Sequence, residues 1–187
     1  MNLKGQEQPS SYEIQLLPQE EDRQLTVNDI LVTFHNQGSL ESIRETIRTD
    51  LSPKQQGLLV LSAKMLEIIE SIEHISNPKE GIADTLEMLL SVAEQTTEYP
   101  QLRLIIEKDN DPTTPGRDRE NNPYTIIKNY YLAAQHPNTT DSEIEGRIQS
   151  GKLGKHLMDL CQMANIDQTK FNEIKRAVTI VNSNNHV

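Results

Sequence analysis

The apolar residues of this chain recur at helical spacing, in segments separated by proline, glycine and polar runs. The first helix opens at Thr26 and Asp29, whose side-chain oxygens can satisfy free backbone N–H groups, and places Val27, Ile30, Leu31 and Phe34 on one face before Gly38. A second covers about 39–50, with Leu40, Ile43, Ile47 and Leu51 as its stripe. Its pairs Glu41–Arg44 and Glu45–Arg48 lie on the exposed side. Ser52 and Pro53 open a third helix, because proline at the first helical position loses no hydrogen bond. Leu58, Leu61, Met65, Ile68, Ile69, Ile72 and Ile75 predict that it runs to Ser76, with Gly57 a local weakness. Asn77 and Pro78 repeat that opening ahead of Ile82, Leu86, Leu89, Leu90 and Ala93. The short link around Asn77 predicts an antiparallel hairpin of these two helices.

Beyond Pro100, Leu102, Leu104, Ile105 and Ile106 predict a short helix, with a buried strand as the alternative. Residues 109–122 hold Pro112, Pro115, Gly116 and many charges, and predict a loop. Asn122 and Pro123 give a third proline-led start, with Tyr124, Ile127, Tyr131 and Ala134 sharing a face. Thr140 and Glu143 form a capping-box pattern ahead of Ile144 and Ile148. Gly151 and Gly154 mark a break, after which Leu153, Leu157, Leu160, Cys161 and Ala164 form a stripe. Asp167 caps a last helix that turns Phe171, Ile174 and Val178 inward.

The resulting fold class is all-α: an irregular multi-helix bundle of seven to nine helices with a central antiparallel helical hairpin. Residues 1–24 read as a mobile polar tail. Within it Tyr12, Ile14, Leu16 and Leu17 could form a strap on the domain or a dock for a partner. Residues 25–108 form an N-terminal helical bundle, and 109–122 the loop. Residues 123–182 are C-terminal helices packed on the first bundle as one domain, and 183–187 a frayed tail. The three proline-led starts reflect shared capping physics, without the matching residues of a solenoid repeat.

Aromatic residues make up 4% of the chain and tryptophan is missing, so the core must come from Leu, Ile, Val and Met. Such a chain is poorly equipped for carbohydrate or base stacking. The net charge of -10 sets it against nucleic acid and anionic membrane surfaces. That charge is uneven. Up to residue 139 there are 12 basic against 22 acidic side chains, and 6 against 6 thereafter. A basic patch can therefore form only late in the chain, where Arg147, Lys152, Lys155 and His156 are the candidates.

The lone Cys161 excludes an intramolecular disulfide and suits a reducing compartment. No apolar segment follows Met1 and no run reaches about 18 apolar residues. The expected location is the cytoplasm, or a host cell reached without a standard signal peptide. The sequon at Asn138 has no secretory context. Usage rich in Ile, Asn, Gln and Lys points to an AT-rich bacterial or viral genome, and small bacterial effectors share that composition.

Few constellations suggest chemistry. Asp109, Asp111, Thr113 and Glu120 match a calcium loop in spacing, but Thr114 stands where that loop needs glycine. Glu67, Glu70 and His74 fall within about 60° on the third helix, opposite its apolar stripe, and read as a solvated face. Cys161 sits inside an apolar stripe and reads as core. No histidine or cysteine has zinc spacing, and no phosphate-loop, dinucleotide or nucleophile-elbow motif is present. No metal or cofactor is expected. Tyr130 lies about 100° round from Tyr131, where it could be exposed. There it can anchor a partner or lie half-buried with its hydroxyl in water.

The sequence therefore predicts a non-catalytic protein–protein interaction module: an adaptor, accessory factor or secreted bacterial effector acting on another protein. Its candidate surface residues are Glu67, Glu70, His74, Asp109, Asp111, Arg117, Arg119, Tyr130, Arg147, Lys152 and Lys155. One alternative is an enzyme whose site assembles around 109–122, from Asp109, Asp111, Arg117 and Arg119 with His136. A second is a binder of an acidic partner through the 147–156 basic patch.

Overall fold

A computed structural model describes residues 51–183, and over them the chain forms eight α-helices and no strand. The tail at 1–24, its strap, the two helices read over 26–50 and residues 184–187 lie outside the described residues. The helices are α1 (Pro53–Ser71), α2 (Pro78–Gln95), α3 (Pro100–Asn110), α4 (Gly116–Glu120), α5 (Pro123–Gln135), α6 (Asp141–Ser150), α7 (Leu153–Met163) and α8 (Gln168–Ser183).

At the start of α1 the Ser52 hydroxyl accepts from the Gln55 N–H, and the Gln55 side-chain carbonyl accepts from the Ser52 N–H at 2.8 Å. This reciprocal box satisfies two donors that a helix start leaves open. Gln55 is buried, and its amide also donates to the Ala164 carbonyl at 2.7 Å, which ties the head of α1 to the end of α7. Every position from Gly57 to Ala63 is buried, so this stretch of α1 is enclosed on all sides, while Lys64, Glu67 and Glu70 keep a polar side further on. It packs against α2, α7 and α8, while α5 lies between α2 and α7. The helices after residue 122 thus join the same core as α1 and α2.

The sequence carried the third helix to Ser76, but α1 ends at Ser71 and a 3-10 turn covers Ile72–His74. The chain then passes through Asn77, which takes the left-handed conformation at φ 62. Asn77 holds the N-cap position of α2 but makes no cap hydrogen bond. The cap comes instead from Asp141, whose carboxylate accepts the Lys79 N–H at 3.1 Å. The Lys79 ammonium donates to the His136 and Thr139 carbonyls, both at 2.7 Å, so the α5–α6 link is clamped onto the start of α2. At the far end of α2, Lys54 from α1 donates to the Gln95 carbonyl at 2.6 Å.

The expected 109–122 loop is partly helical. Asp109 and Asn110 close α3, and residues 116–120 make the single turn α4. Residues 100–110 are helix and not strand, opened by Pro100 at the first helical position. Asn122 caps α5, its side-chain oxygen accepting from the Tyr124 and Thr125 N–H groups, while its amide donates to the Ile105 carbonyl at 2.7 Å. The Thr140–Glu143 capping box of α6 is present, and Asp167 accepts the Lys170 N–H at 2.8 Å in the first turn of α8.

Beyond the C-cap Ala164 of α7, Asn165 has φ 58. The Ile166 N–H bonds to the Cys161 carbonyl and the Asn165 N–H to the Gln162 carbonyl, both at 3.0 Å. This is the Schellman pattern, closed by buried Ile166. A left-handed residue with a Cβ carries strain that asparagine tolerates better than alanine. Asn165→Ala is expected to cost about 1 kcal/mol and Asn165→Gly to be neutral or slightly stabilising, which denaturant midpoints will read directly.

Candidate functional site

Two features lay out the polar surface of the second half: a clasp at the start of α5 and a groove between α5 and α6. In the clasp, Asp109 accepts from the Lys128 ammonium at 2.6 Å and from the Thr125 hydroxyl at 2.9 Å, with only 8% of its side chain exposed. Lys128 lies 5.7 Å over the Tyr124 ring. Tyr124 is buried, and its hydroxyl donates to the Glu94 carboxylate of α2. Burial first, and the Glu94 carboxylate second, push the Tyr124 phenol far above its ordinary range. Every group in this clasp has a partner of opposite sign or polarity, and together they pin α3 and α5 to α2.

The groove is built differently. Helix α6 stops at Gly151, and Tyr130 of α5 fills the space where another residue would carry its Cβ. A Cβ at position 151 would lie 1.8 Å from the Tyr130 hydroxyl oxygen. The Tyr130 ring packs partly on the core, and its hydroxyl donates to the Arg147 carbonyl across a long 3.5 Å. Burial raises the Tyr130 phenol above its ordinary range, with the Arg147 charge opposing. Asn129, Tyr130, Ala133, Arg147, Ser150 and Gly151 line an open concavity of about 280 Å³. That is just under the usual small-molecule range, and is room for one or two amino-acid side chains. The walls offer an aromatic edge, a guanidinium, an amide and a hydroxyl.

The candidate residues fall in three separate places. Glu67 bonds Lys64 at 3.2 Å and its carboxyl is raised by partial burial. Glu70 pairs with Lys175 of α8 at 2.6 Å. His74 leaves the helix for the 3-10 turn, so the expected three-residue face does not form. Asp111 turns inward on its own loop and accepts from the Thr113 N–H at 2.8 Å and its hydroxyl at 2.7 Å. The backbone bond from Thr113 holds its carboxyl below the usual range. Arg119 donates to the Asp111 carbonyl, and Arg117 points to Asp118 at the surface. Arg119 thus sits beside Asp111, but Asp109 faces Lys128 and Thr125 and Arg117 faces Asp118, so the four do not form one site. His136 closes the far end of α5, about 16 Å along the helix from the Asp109 clasp at Thr125. Among the described residues no group of three His, Cys, Asp or Glu side chains could hold a metal ion.

Tyr130 and Arg147 meet at the groove, while Lys152 holds the N-cap position of α7 next to Gly151 and Lys155 lies in the first turn of α7. His156, counted with this patch, is mostly buried against Asp159, 3.7 Å away, and burial lowers its pKa. Sequence reasoning missed Gly151 as the residue that shapes the groove, because glycine after a helix reads only as a stop. Cys161 is fully buried, its thiol directed at the Ser62 hydroxyl oxygen at 3.4 Å, and burial pushes it up to about 12. It is expected to resist a thiol reagent at neutral pH in the folded protein and to react only as fast as the fold opens, which a reaction rate followed against denaturant will show.

No helix among the described residues is long and apolar enough to cross a membrane. Comparisons with protein-family models, with curated proteins and with solved structures each find no match to this chain.

Proposed function

We propose that the protein is a non-catalytic interaction module that acts by binding another protein at the α5–α6 groove. The observation that carries this reading is the pairing of Tyr130 with Arg147 around an open concavity seated on Gly151. Tyrosine and arginine are the residue types that most often anchor protein interfaces, since both offer a large flat surface with a polar tip. Helix packing holds both elements, so the surface is preformed and little ordering entropy opposes docking.

Affinity capture from the protein's own cells, and from host cells where the source is a pathogen, tests the reading. Wild-type protein is compared with Tyr130→Ala, Arg147→Glu and the control Lys108→Glu on the exposed side of α3. A stoichiometric partner lost with the first two and retained with the control supports it. Equal retention by all four overturns the groove as the binding surface.

A further inference from the structure

We propose that the groove and the adjoining α6–α7 turn take a short acidic segment of the partner, with a carboxylate on Arg147 and an apolar or aromatic side chain against the Tyr130 ring. This rests on the reading of the groove as a protein-binding surface. Arg147, Lys152 and Lys155 are exposed and form no ion pair with any described residue. Elsewhere Lys54, Lys64, Arg103, Arg117, Lys128, Lys170 and Lys175 have carboxylate partners and Lys79 and Arg119 bond backbone carbonyls, while Lys108 and Arg176 stand singly on other helices with no ion pair to a described residue. Glu143 on α6 feels the Arg147 charge, but its carboxylate is engaged in the Thr140 capping box and makes no ion pair with Arg147. In a chain of net charge -10, a groove-lining cation followed closely in the chain by two more, none in an ion pair with a described residue, marks where an outside carboxylate gains most.

The rest of the lining fits a peptide. Ser150 donates its hydroxyl proton to the Gly146 carbonyl at 2.8 Å, which leaves its oxygen as an acceptor for a peptide N–H. Asn129 is exposed, and its amide can both donate to and accept from a backbone. The volume of about 280 Å³ admits one or two side chains, so affinity must come from an extended segment lying along the surface. Nucleic acid fits less well. It brings many charges into a field that is negative overall, and the groove offers one partly buried ring for stacking. A short acidic segment is drawn mainly by charges within the Debye length of about 8 Å, and Arg147 is the one charged side chain among the described residues that line the groove.

The test uses the full chain and a fluorescein-labelled hexapeptide alternating glutamate with leucine, read by anisotropy at low and high salt. A lysine–leucine hexapeptide and a twelve-residue oligothymidylate serve as comparisons. The glutamate peptide is expected to bind, to weaken at least tenfold with R147E/K152E, to weaken with salt, and to be unchanged by K108E. Tyr130→Ala is expected to weaken it severalfold at either salt concentration. Equal binding of the lysine peptide, equal or tighter binding of the oligothymidylate, or insensitivity to R147E/K152E overturns the proposal. No binding by the glutamate peptide at about 1 mM, a free energy near 4 kcal/mol, also overturns it. If the glutamate peptide fails while a captured partner still depends on Tyr130, only the acidic assignment falls. If both fail, the interaction reading falls with it.

Discussion

Replacing Tyr124 with alanine is expected to lower the stability of the fold by about 3–5 kcal/mol, the largest effect of any substitution considered. The ring is 1% exposed and is among the largest side chains buried in the core. Truncation removes its contacts, and the Glu94 carboxylate and Lys128 ammonium lose a neighbour that both now touch. At about 2–4 °C per kcal/mol for a chain of this size, the midpoint should fall by roughly 6–20 °C in calorimetry. Tyr124→Phe keeps the ring and loses only the hydroxyl. Because Glu94 is exposed and can turn to water, that variant should cost only about 0.5–1.5 kcal/mol. A Phe variant as damaging as the Ala variant would mean that the hydroxyl and not the ring holds this corner. The pH dependence follows with a definite sign. The folded state holds the phenol proton more tightly than the unfolded chain does. Its contribution is therefore complete below the unfolded value of about 10 and is lost as pH rises above it. Alkaline melting curves of wild type should fall more steeply than those of Tyr124→Phe.

The second large effect is at Asn122. Its oxygen caps α5 and its amide satisfies the Ile105 carbonyl, all with 4% of the residue exposed. Asn122→Ala removes the cap, worth about 1 kcal/mol, and leaves a buried carbonyl without its donor, worth about 1–3 kcal/mol more. The expected loss is about 2–4 kcal/mol, with amide exchange accelerated first along α3 and the head of α5. Asn122→Ser restores an acceptor for the cap without reaching Ile105, and should recover only the cap's share. Full recovery by serine would place the whole effect in the cap and none in the α3 contact.

What the sequence disclosed and what it withheld divide by range. Ser52 with Pro53, Asn122 with Pro123, and Thr140 with Glu143 were readable because a cap and the donors it satisfies lie within three residues. Asn77 carried the same signature and does not cap, because the group that satisfies the start of α2 is Asp141, which no local pattern can indicate. The stripe on α1 was legible, but the burial of Leu59, Val60 and Ala63 outside it depends on which helices arrive from far along the chain. The helical turn at 116–120 escaped notice between Pro115 and Asn121 because it contributes nothing to the core. At the groove, the sequence marked Tyr130 and Arg147 separately. Their meeting depends on Gly151, whose missing side chain sets the distance between two helices. The acidic cluster at 109–111 suggested chemistry by spacing alone, and the two carboxylates instead face different partners.

The ties at the heads of α1 and α2 also govern the order in which a growing chain can be completed. Gln55 finds its carbonyl at Ala164, and Lys79 finds its partners at His136, Thr139 and Asp141. A ribosome adding about 5–20 residues per second supplies the first of these about 5–20 s after Gln55 itself has been made. Until then α1, buried at every position from Gly57 to Ala63 in the finished fold, has no complete α7 and no α8 to cover it. The newborn protein thus passes through an interval in which its most water-averse segment stands open. Slower decoding across the second half of the message would lengthen that interval, and a chain cut short before residue 164 would never leave it.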